Sequence, residues 1–284
     1  MSITVTPLSA ALGAEVAGVD IAAGIPRDDI EGILSAWHRH GLVVLRDQRI
    51  TEDEQVAFGS HFGEVAPWSR FAERVAPPPG RNAYIMWVTN LKENGAYIGN
   101  LAEGEIEFHS DGIYVEEPLA ATMLYAVEVT RSGGETAFAN MYTAYETLPD
   151  HVKARIDGRQ ALHAFTYDST RAEENAARKA NWDGVAHCTH PIVRVHPVTG
   201  RKALYVNRLM TQEIVGMASE ESRALLESLY GHMENPAFVY EHRWRRGDVL
   251  IWDNRCLAHA RRTFPDHETR LMKRLTIKGE RPVG

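Results

Sequence analysis

The chain has 284 residues, with 31 lysines and arginines against 38 aspartates and glutamates, so its formal net charge is −7. Hydrophobic residues make up 44% and charged residues 24%, a composition that is typical of a globular protein with a sizeable core and excludes a disordered chain. The negative net charge and the scattered basic residues argue against a nucleic-acid-binding protein, which needs a clustered positive face.

Further sequence features predict the cellular location. The longest apolar run, residues 119–127, is about half of the roughly 18 residues that a membrane helix needs. No basic segment precedes an apolar stretch at the N-terminus, so no secretory signal is expected. Cys188 and Cys256 are the only cysteines and lie far apart, which suits a reducing cytoplasm. We therefore expect a cytoplasmic enzyme or small-molecule-binding protein, with neither a membrane nor a nucleic acid as partner.

Hydrophobic periodicity predicts the elements at the start of the chain. Strands are expected at 13–21 and 42–45, and helices at 28–40 and from Thr51 to Gly63. The second helix opens with a capping box, since Thr51 is followed three residues later by Glu54.

The rest of the chain is richer in strands than in helices. Strand-like runs lie at 83–89, 120–129, 192–196, 203–207, 248–252 and 270–277. Helical patterns lie at about 140–156 and 219–233, and the loop-rich stretches at 64–104 and 166–190 are long enough for lids or binding loops. Many short strands without regular strand–helix alternation predict a single α+β domain, 1–284. A sandwich or jelly roll is favoured over a doubly wound sheet.

The segment His109-Ser110-Asp111 is the first candidate for metal chemistry. In an extended segment, residues two apart point to the same face, so one imidazole and one carboxylate could bind the same ion. A second histidine from elsewhere would complete a two-histidine, one-carboxylate triad with open positions on Fe(II). With 13 histidines and 38 acidic residues, roughly two such pairs arise by chance, so this pair needs supporting context.

Two other histidine patterns are expected to have no metal. His232 and Glu234 lie at the end of a helical pattern, where residues two apart do not share a face. His187 and His190 flank Cys188, but their spacing is too tight for an ordinary structural zinc site, and a mobile loop is expected there.

Supporting context comes from the C-terminal part of the chain. WDNRCLAH at 252–259 is followed by RLMKR at 270–274, and HSD at 109–111 is followed by GGET at 133–136. Together these motifs resemble the taurine dioxygenase/2,4-D dioxygenase family of Fe(II)- and 2-oxoglutarate-dependent oxygenases. The N-terminal segments GAEVAGVDI and HRHGLVVLRDQ agree with that family as well, so the resemblance covers essentially the whole chain.

The resemblance implies a double-stranded β-helix, or jelly roll, with flanking helices and long lid loops. It places Fe(II) on His109, Asp111 and His259, and the distal carboxylate of 2-oxoglutarate on Arg270 and Thr136. A guanidinium can bind a carboxylate through two parallel hydrogen bonds, to which a hydroxyl adds a third. O₂ is then the other cosubstrate, and succinate and CO₂ are released. Related halogenases replace the carboxylate by a small residue, so Asp111 favours oxygenation.

The substrate is expected to be a small organic anion. Residues 270, 272 and 274 of a strand share a face, so Arg274 is predicted to point into the same pocket as Arg270 and bind the anionic group. The alternative is that Arg274 braces Asp111 or the other carboxylate of the cosubstrate. Trp68 is predicted to contact the substrate, although it could instead pack a lid onto the core.

Taurine is not expected to be the principal substrate. Taurine-specific members have a histidine shortly after the segment equivalent to 62–64, where this chain has VAPWS at 65–69. Aryloxyalkanoates, with oxidative cleavage, are the leading class. A biosynthetic hydroxylase or desaturase of an amino-acid-like carboxylate, and a dioxygenase of alkylsulfonates or sulfate esters, are the alternatives. A homo-oligomer is left open, and a non-catalytic metal-binding protein or a hydrolytic zinc enzyme fits Thr136 and Arg270 less well.

Overall fold

The structure, a computed structural model, describes residues 3–67, 80–101, 104–165 and 184–284. Its α-helices are α1 (Arg27–His40), α2 (Glu52–Gly59), α3 (Met141–Glu146), α4 (Asp150–Ile156) and α5 (Ser219–Met233). No helix in these ranges has the length and apolar character needed to cross a bilayer. Short 3-10 turns lie at Ser60–Phe62 and Pro236–Phe238.

Strands account for most of the remaining regular structure. In chain order they are β1 (Thr4–Pro7), β2 (Ala14–Ala17), β3 (Leu42–Leu45), β4 (Val65–Ala66), β5 (Met86–Thr89), β6 (Lys92–Glu93), β7 (Ala96–Tyr97), β8 (Ile106–His109), β9 (Ala121–Glu128), β10 (Thr136–Asn140), β11 (Gln160–Ala164), β12 (His187–Pro191), β13 (Val193–Val195), β14 (Lys202–Leu204), β15 (Thr211–Ile214), β16 (Val239–His242), β17 (Val249–Asp253), β18 (Leu257–Arg261) and β19 (Leu271–Ile277).

Two sheets form the centre of the molecule. The large sheet has the order β1-β2-β3-β17-β9-β19-β4, with β5 also paired to β19. Its pairs are antiparallel except β2 with β3. The small sheet has the order β16-β10-β18-β8 and is antiparallel throughout. A three-stranded sheet, β12-β11-β15, and the hairpin β13–β14 lie outside these two.

The main apolar core lies between the two sheets. It combines Leu250 and Trp252 of β17 with Phe138 of β10 and Ala258 of β18, all buried. Phe138 meets the indole of Trp252 edge to face, with ring centroids 5.3 Å apart. Because side chains alternate along a strand, every second residue of each sheet faces this layer.

The opposite face of the large sheet is covered by helices α1 and α2. Val249 and Ile251 of β17 point to this side and join a second buried cluster with Ile33 and Trp37 of α1 and Phe58 of α2. Both faces of the large sheet are therefore buried, which explains why its central strands read as continuous apolar runs.

The predicted helix at 28–40 is confirmed by α1, which ends where Gly41 adopts a left-handed conformation with φ of 72°. The capping box of α2 is confirmed, since Thr51 and Glu54 make both reciprocal bonds. This α-helix ends at Gly59 rather than Gly63, because its last turn tightens into a 3-10 helix.

Two predictions about local structure are wrong. The pattern at 140–156 forms two helices, α3 and α4, because Pro149 has no backbone N–H to continue the first helix and instead caps the second. The stretch 166–190, predicted as a loop, contains residues of β12, which pairs with β11 from Gln160 to Ala164.

The turn that leads into β10 depends on Gly133. Its φ of +71° is unfavourable for residues with a side chain, and an added Cβ would lie 2.3 Å from the carbonyl oxygen of Thr263. We expect Gly133→Ala to destabilise the protein by about 2–4 kcal/mol, because backbone strain and a clash with backbone act together.

Gly158→Ala is the matched control. Gly158 has a φ of +72°, but nothing lies within 4 Å of its added Cβ. We expect a cost of only about 1–2 kcal/mol from the left-handed conformation. Urea unfolding measures both variants, and equal losses would contradict the close approach at Gly133.

Candidate active site

Three predicted metal ligands meet at one end of the small sheet. His109 ends β8, His259 lies in the middle of β18, and the two residues are paired in register. Asp111 follows β8, and one ligand atom from each of the three side chains lies within 4.8 Å of the others. The Nε2 atoms of His109 and His259 are each 3.9 Å from a carboxylate oxygen of Asp111. These are the donors that favour a divalent transition metal with open coordination positions.

The backbone brings Asp111 to this place differently from the prediction. An extended segment through 109–111 was expected, but β8 ends at His109 and Asp111 begins a turn. The turn continues through Gly112, whose φ is 73°. Asp111 therefore reaches the histidines from a turn and not from the same strand face.

The two histidines are held in a form suited to metal binding. Nδ1 of His109 lies 2.9 Å from the carbonyl oxygen of Glu107, so it donates there and leaves the lone pair of Nε2 available for a metal ion. Burial lowers the pKa of His109 and lowers that of His259 further. Both rings are therefore neutral near pH 7, as metal ligation requires.

Asp111 is kept ionised by its neighbours. Nη2 of Arg274 lies 2.9 Å from Oδ1, and the hydroxyl of Thr122 donates to Oδ2 at 2.6 Å. Burial by itself raises the pKa of Asp111, but Arg274, the two histidines and Thr122 together hold it well below its usual range. Arg274 therefore braces Asp111 in this structure, which is one of the two roles expected for it from the sequence.

Behind Thr122 lies a chain of buried hydrogen bonds. The indole Nε1 of Trp252 donates to Oδ1 of Asn254 at 2.8 Å. Nδ2 of Asn254 then donates to the hydroxyl of Thr122 at 3.0 Å. This chain ends on the carboxylate of Asp111.

Arg270 is a buried cation that lacks an anionic partner among the residues the structure describes. Arg270 is only 3% exposed, and its Nε makes no hydrogen bond to the described residues. Burial and the nearby charge of Arg261 lower the pKa of Arg270 to about 9. A buried charge of this kind is costly until an anion neutralises it, so the site is suited to a carboxylate.

Thr136, at the start of β10, accepts a hydrogen bond from the indole of Trp244 at 3.0 Å. The indole N–H can only donate, so this bond uses a lone pair of Thr136 and leaves its hydroxyl hydrogen free to donate. Trp244 was not recognised in the sequence, where only its position shortly before the motif at 252–259 could have drawn attention to it.

Two tryptophans lie in or beside the first loop-rich stretch, and the structure describes only one of them. Trp68 lies outside the described residues. Trp87 of the same stretch donates to Glu52 at 2.9 Å and lies under the guanidinium of Arg81, 3.3 Å from the ring centroid. These contacts place Trp87 on the helix-covered face of the large sheet.

A second group of potential ligands, His196, Asp253 and Cys256, is also buried. Asp253 accepts two hydrogen bonds from Arg255, at 2.8 and 2.7 Å, and one from Nε2 of His196 at 3.0 Å. Nδ1 of His196 accepts from backbone N–H groups of 198 and 199. Burial raises the pKa of the Cys256 thiol well above its usual value. These groups satisfy one another, so the cluster is a structural support for the turn between β17 and β18.

The other histidine patterns do not join the triad and contact backbone carbonyl groups instead. His187 and His190 belong to β12, and Nε2 of His190 contacts the carbonyl oxygen of Val115 at 2.9 Å. The expected mobile loop is therefore wrong for these residues, because β11 supplies a pairing partner. His232 ends α5 and contacts the carbonyl oxygen of Ala144 at 2.9 Å.

Comparison with known proteins agrees with this geometry. The profile of the "Taurine catabolism dioxygenase TauD, TfdA family" matches residues 4–276. The chain belongs to this family. The resemblance drawn from the sequence motifs is thereby confirmed, and with it the enzyme class, a 2-oxoglutarate-dependent dioxygenase.

Several TauD/TfdA relatives are similar over nearly their whole length. Pentalenolactone F synthase of Streptomyces arenae is 32% identical over 99% of this chain and 97% of its own. The alpha-ketoglutarate-dependent 2,4-dichlorophenoxyacetate dioxygenase of Cupriavidus pinatubonensis is 30% identical over 97% and 98%. The crystal structure of AAD-2 with Mn(II) and N-oxalylglycine superimposes with a TM-score of 0.80 at 28% identity, covering both chains completely.

Removing one ligand of the triad tests the metal site of this TauD/TfdA member. We expect the protein to bind one equivalent of Mn(II) and Asp111→Ala to weaken that binding by more than about 100-fold, a larger effect than loss of an outer hydrogen bond. Isothermal titration calorimetry under anaerobic conditions measures both quantities.

Glu107→Ala is the control, because Glu107 is an exposed acid on the same strand. It should bind Mn(II) as the parent protein does. Unchanged affinity in Asp111→Ala would refute the triad.

Proposed function

We propose that this chain is a non-haem Fe(II)/2-oxoglutarate-dependent dioxygenase that oxidises a small organic anion. His109, Asp111 and His259 hold Fe(II), and Arg270 with Thr136 binds the distal carboxylate of 2-oxoglutarate. The observation that carries the proposal is the buried guanidinium of Arg270, which has no anionic partner among the described residues, together with the His/Asp/His triad.

The fit of 2-oxoglutarate follows from charge. A cosubstrate carboxylate supplies an anion that the described residues do not offer to Arg270, and the hydroxyl hydrogen of Thr136 supplies another donor to the same group. The AAD-2 structure supports this assignment, because N-oxalylglycine differs from 2-oxoglutarate only by an N–H in place of a methylene.

The side chains of the protein have separate tasks in this mechanism. When bound, Fe(II) and 2-oxoglutarate supply the oxidising chemistry that uses O₂, inserts oxygen at a C–H bond and releases succinate and CO₂. Asp111 remains ionised because Arg274 and Thr122 donate to it, and the histidines remain neutral because they are buried. The indole of Trp252 packs against the ring of His259, with centroids 4.6 Å apart, and covers that side of the triad.

Arg274 is the proposed anchor of the anionic substrate. It lies at the triad and is partly accessible, since 17% of its side chain is exposed. Its guanidinium has donors beyond the one that meets Asp111, so it can bind a carboxylate, sulfonate or sulfate as well. Trp68 is retained as a proposed substrate contact.

Aryloxyalkanoates are the leading substrate class, supported by similarity to the Cupriavidus enzyme. A biosynthetic hydroxylation or desaturation is the second candidate, supported by similarity to pentalenolactone F synthase. Alkylsulfonates and sulfate esters complete the set of anions that Arg274 suits.

The two-sheet core is further proposed to be a double-stranded β-helix within a single domain spanning 1–284. The paired antiparallel sheets and the similarity to AAD-2 support it. A cytoplasmic location, the absence of nucleic-acid or membrane partners, and possible homo-oligomerisation stay predictions.

Succinate release tests the reaction class. We expect the Fe(II)-loaded protein to convert 2-oxoglutarate to succinate slowly alone, and faster with one class from a panel of aryloxyalkanoates, sulfonates, sulfate esters and amino acids. Stimulation by one class names the substrate type. Absence of succinate, with Fe(II) and 2-oxoglutarate binding verified, would refute the proposed activity.

Arg274→Ala tests the substrate anchor. We expect KM for the stimulating anion to rise by about 10- to 100-fold, because a charge-assisted hydrogen bond is lost. Lys273→Ala is the control, since Lys273 is the next residue of β19 and pairs with Glu52 at 3.2 Å. An unchanged KM combined with weaker Mn(II) binding would assign Arg274 only to bracing Asp111.

A further inference from the structure

We infer that Thr122 is a positioning residue for the metal site, and that it fixes the orientation of the Asp111 carboxylate through a one-way chain of hydrogen bonds. This inference rests on the proposed function, in which Asp111 binds the metal. The observation behind it is a continuous chain of three hydrogen bonds that runs from Trp252 through Asn254 and Thr122 to Asp111.

The direction of the chain is set by its first and last members. An indole N–H is a donor only, so the carbonyl oxygen of the Asn254 side chain must face Trp252. The amide nitrogen of Asn254 therefore faces Thr122 and donates to its hydroxyl. With one lone pair used in this way, Thr122 donates its own hydrogen to Asp111, which accepts as an ionised carboxylate.

The chain is also rigid because it is buried in the large sheet. Trp252, Asn254 and Thr122 are each at most 1% exposed. Thr122 in β9 is paired in register with Trp252 in β17, and both strands lie inside the sheet. Because Thr122 is fully buried, its hydroxyl has no water to bond and is directed to the carboxylate of Asp111.

Arg274 is the other donor to Asp111, and the proposed substrate uses the same guanidinium. When an anionic substrate binds Arg274, the guanidinium is shared between two anions, and its attraction for the carboxylate of Asp111 becomes weaker. Thr122 then remains as the donor that holds Oδ2, so metal binding and substrate binding need not compete for one interaction.

Thr122→Val tests the inference, because it removes the hydroxyl with little change in volume. We expect the affinity for Mn(II) to fall by about 10- to 100-fold, the range for losing an outer partner of a metal ligand. Thr122→Ser, which restores a hydroxyl, should recover most of the affinity. Calorimetric titration of the full chain with Mn(II), and thermal unfolding without metal, are the measurements.

Thr276→Val is the matched control. Thr276 of β19 is directly opposite Thr122, is also buried, and has no hydrogen bond to Asp111 in the described structure. It removes a buried hydroxyl from the same place in the sheet and should leave Mn(II) binding unchanged. A merely structural role of Thr122 predicts the same effect on the metal from both variants.

The outcomes separate the inference from the proposed function. Mn(II) affinity of Thr122→Val within twofold of the parent, or equal loss in Thr276→Val, would overturn the role of Thr122 while leaving the metal site in place. Failure of the parent protein to bind Mn(II) would overturn both. If Thr122→Val does not fold, Thr122→Ala replaces it, since it removes the hydroxyl without a branched side chain against Asn254.

Discussion

The carboxylate of Asp111, of which only 13% of the side chain is exposed, connects the two sheets of this protein. It lies in the turn after β8 of the small sheet, yet its donors, Arg274 and Thr122, come from β19 and β9 of the large sheet. A buried charge is stable only when such partners are in place. The charge of Asp111 and the geometry of the open triad both depend on this set of contacts.

The large sheet could be predicted well from the sequence, whereas the small sheet could not. Strands β3, β9, β17 and β19 are buried on both faces and appear as apolar runs. In the small sheet, inward positions carry His109, Thr136 and His259, which interrupt the alternation that identifies a strand. Local rules failed where polar chemistry replaces apolar packing, as is expected at a functional site.

The candidate site was predicted from the family motifs and not from periodicity. The motifs led to the His/Asp/His triad, which the fold assembles within 4.8 Å. They did not lead to Thr122 or Trp244, because a threonine in a strand and an isolated tryptophan carry no local signal. The sequence did not decide whether Arg274 binds the substrate or braces Asp111, because its contact with Asp111 depends on how two distant segments pack.

Asp111 and Asp253 each form an ion pair with an arginine, and this affects how the protein tolerates acid. Each has a pKa held below the usual aspartate range, one beside the metal ligands and the other in the turn that leads to His259. A lowered pKa contributes stability that is fully present above the ordinary aspartate value and lost as the pH falls through the lowered one. As the pH falls, protonation therefore removes both the negative charge of Asp111 at the site and that of Asp253 in the supporting turn. Protonation of either carboxylate therefore lowers the stability of the fold that holds the candidate site.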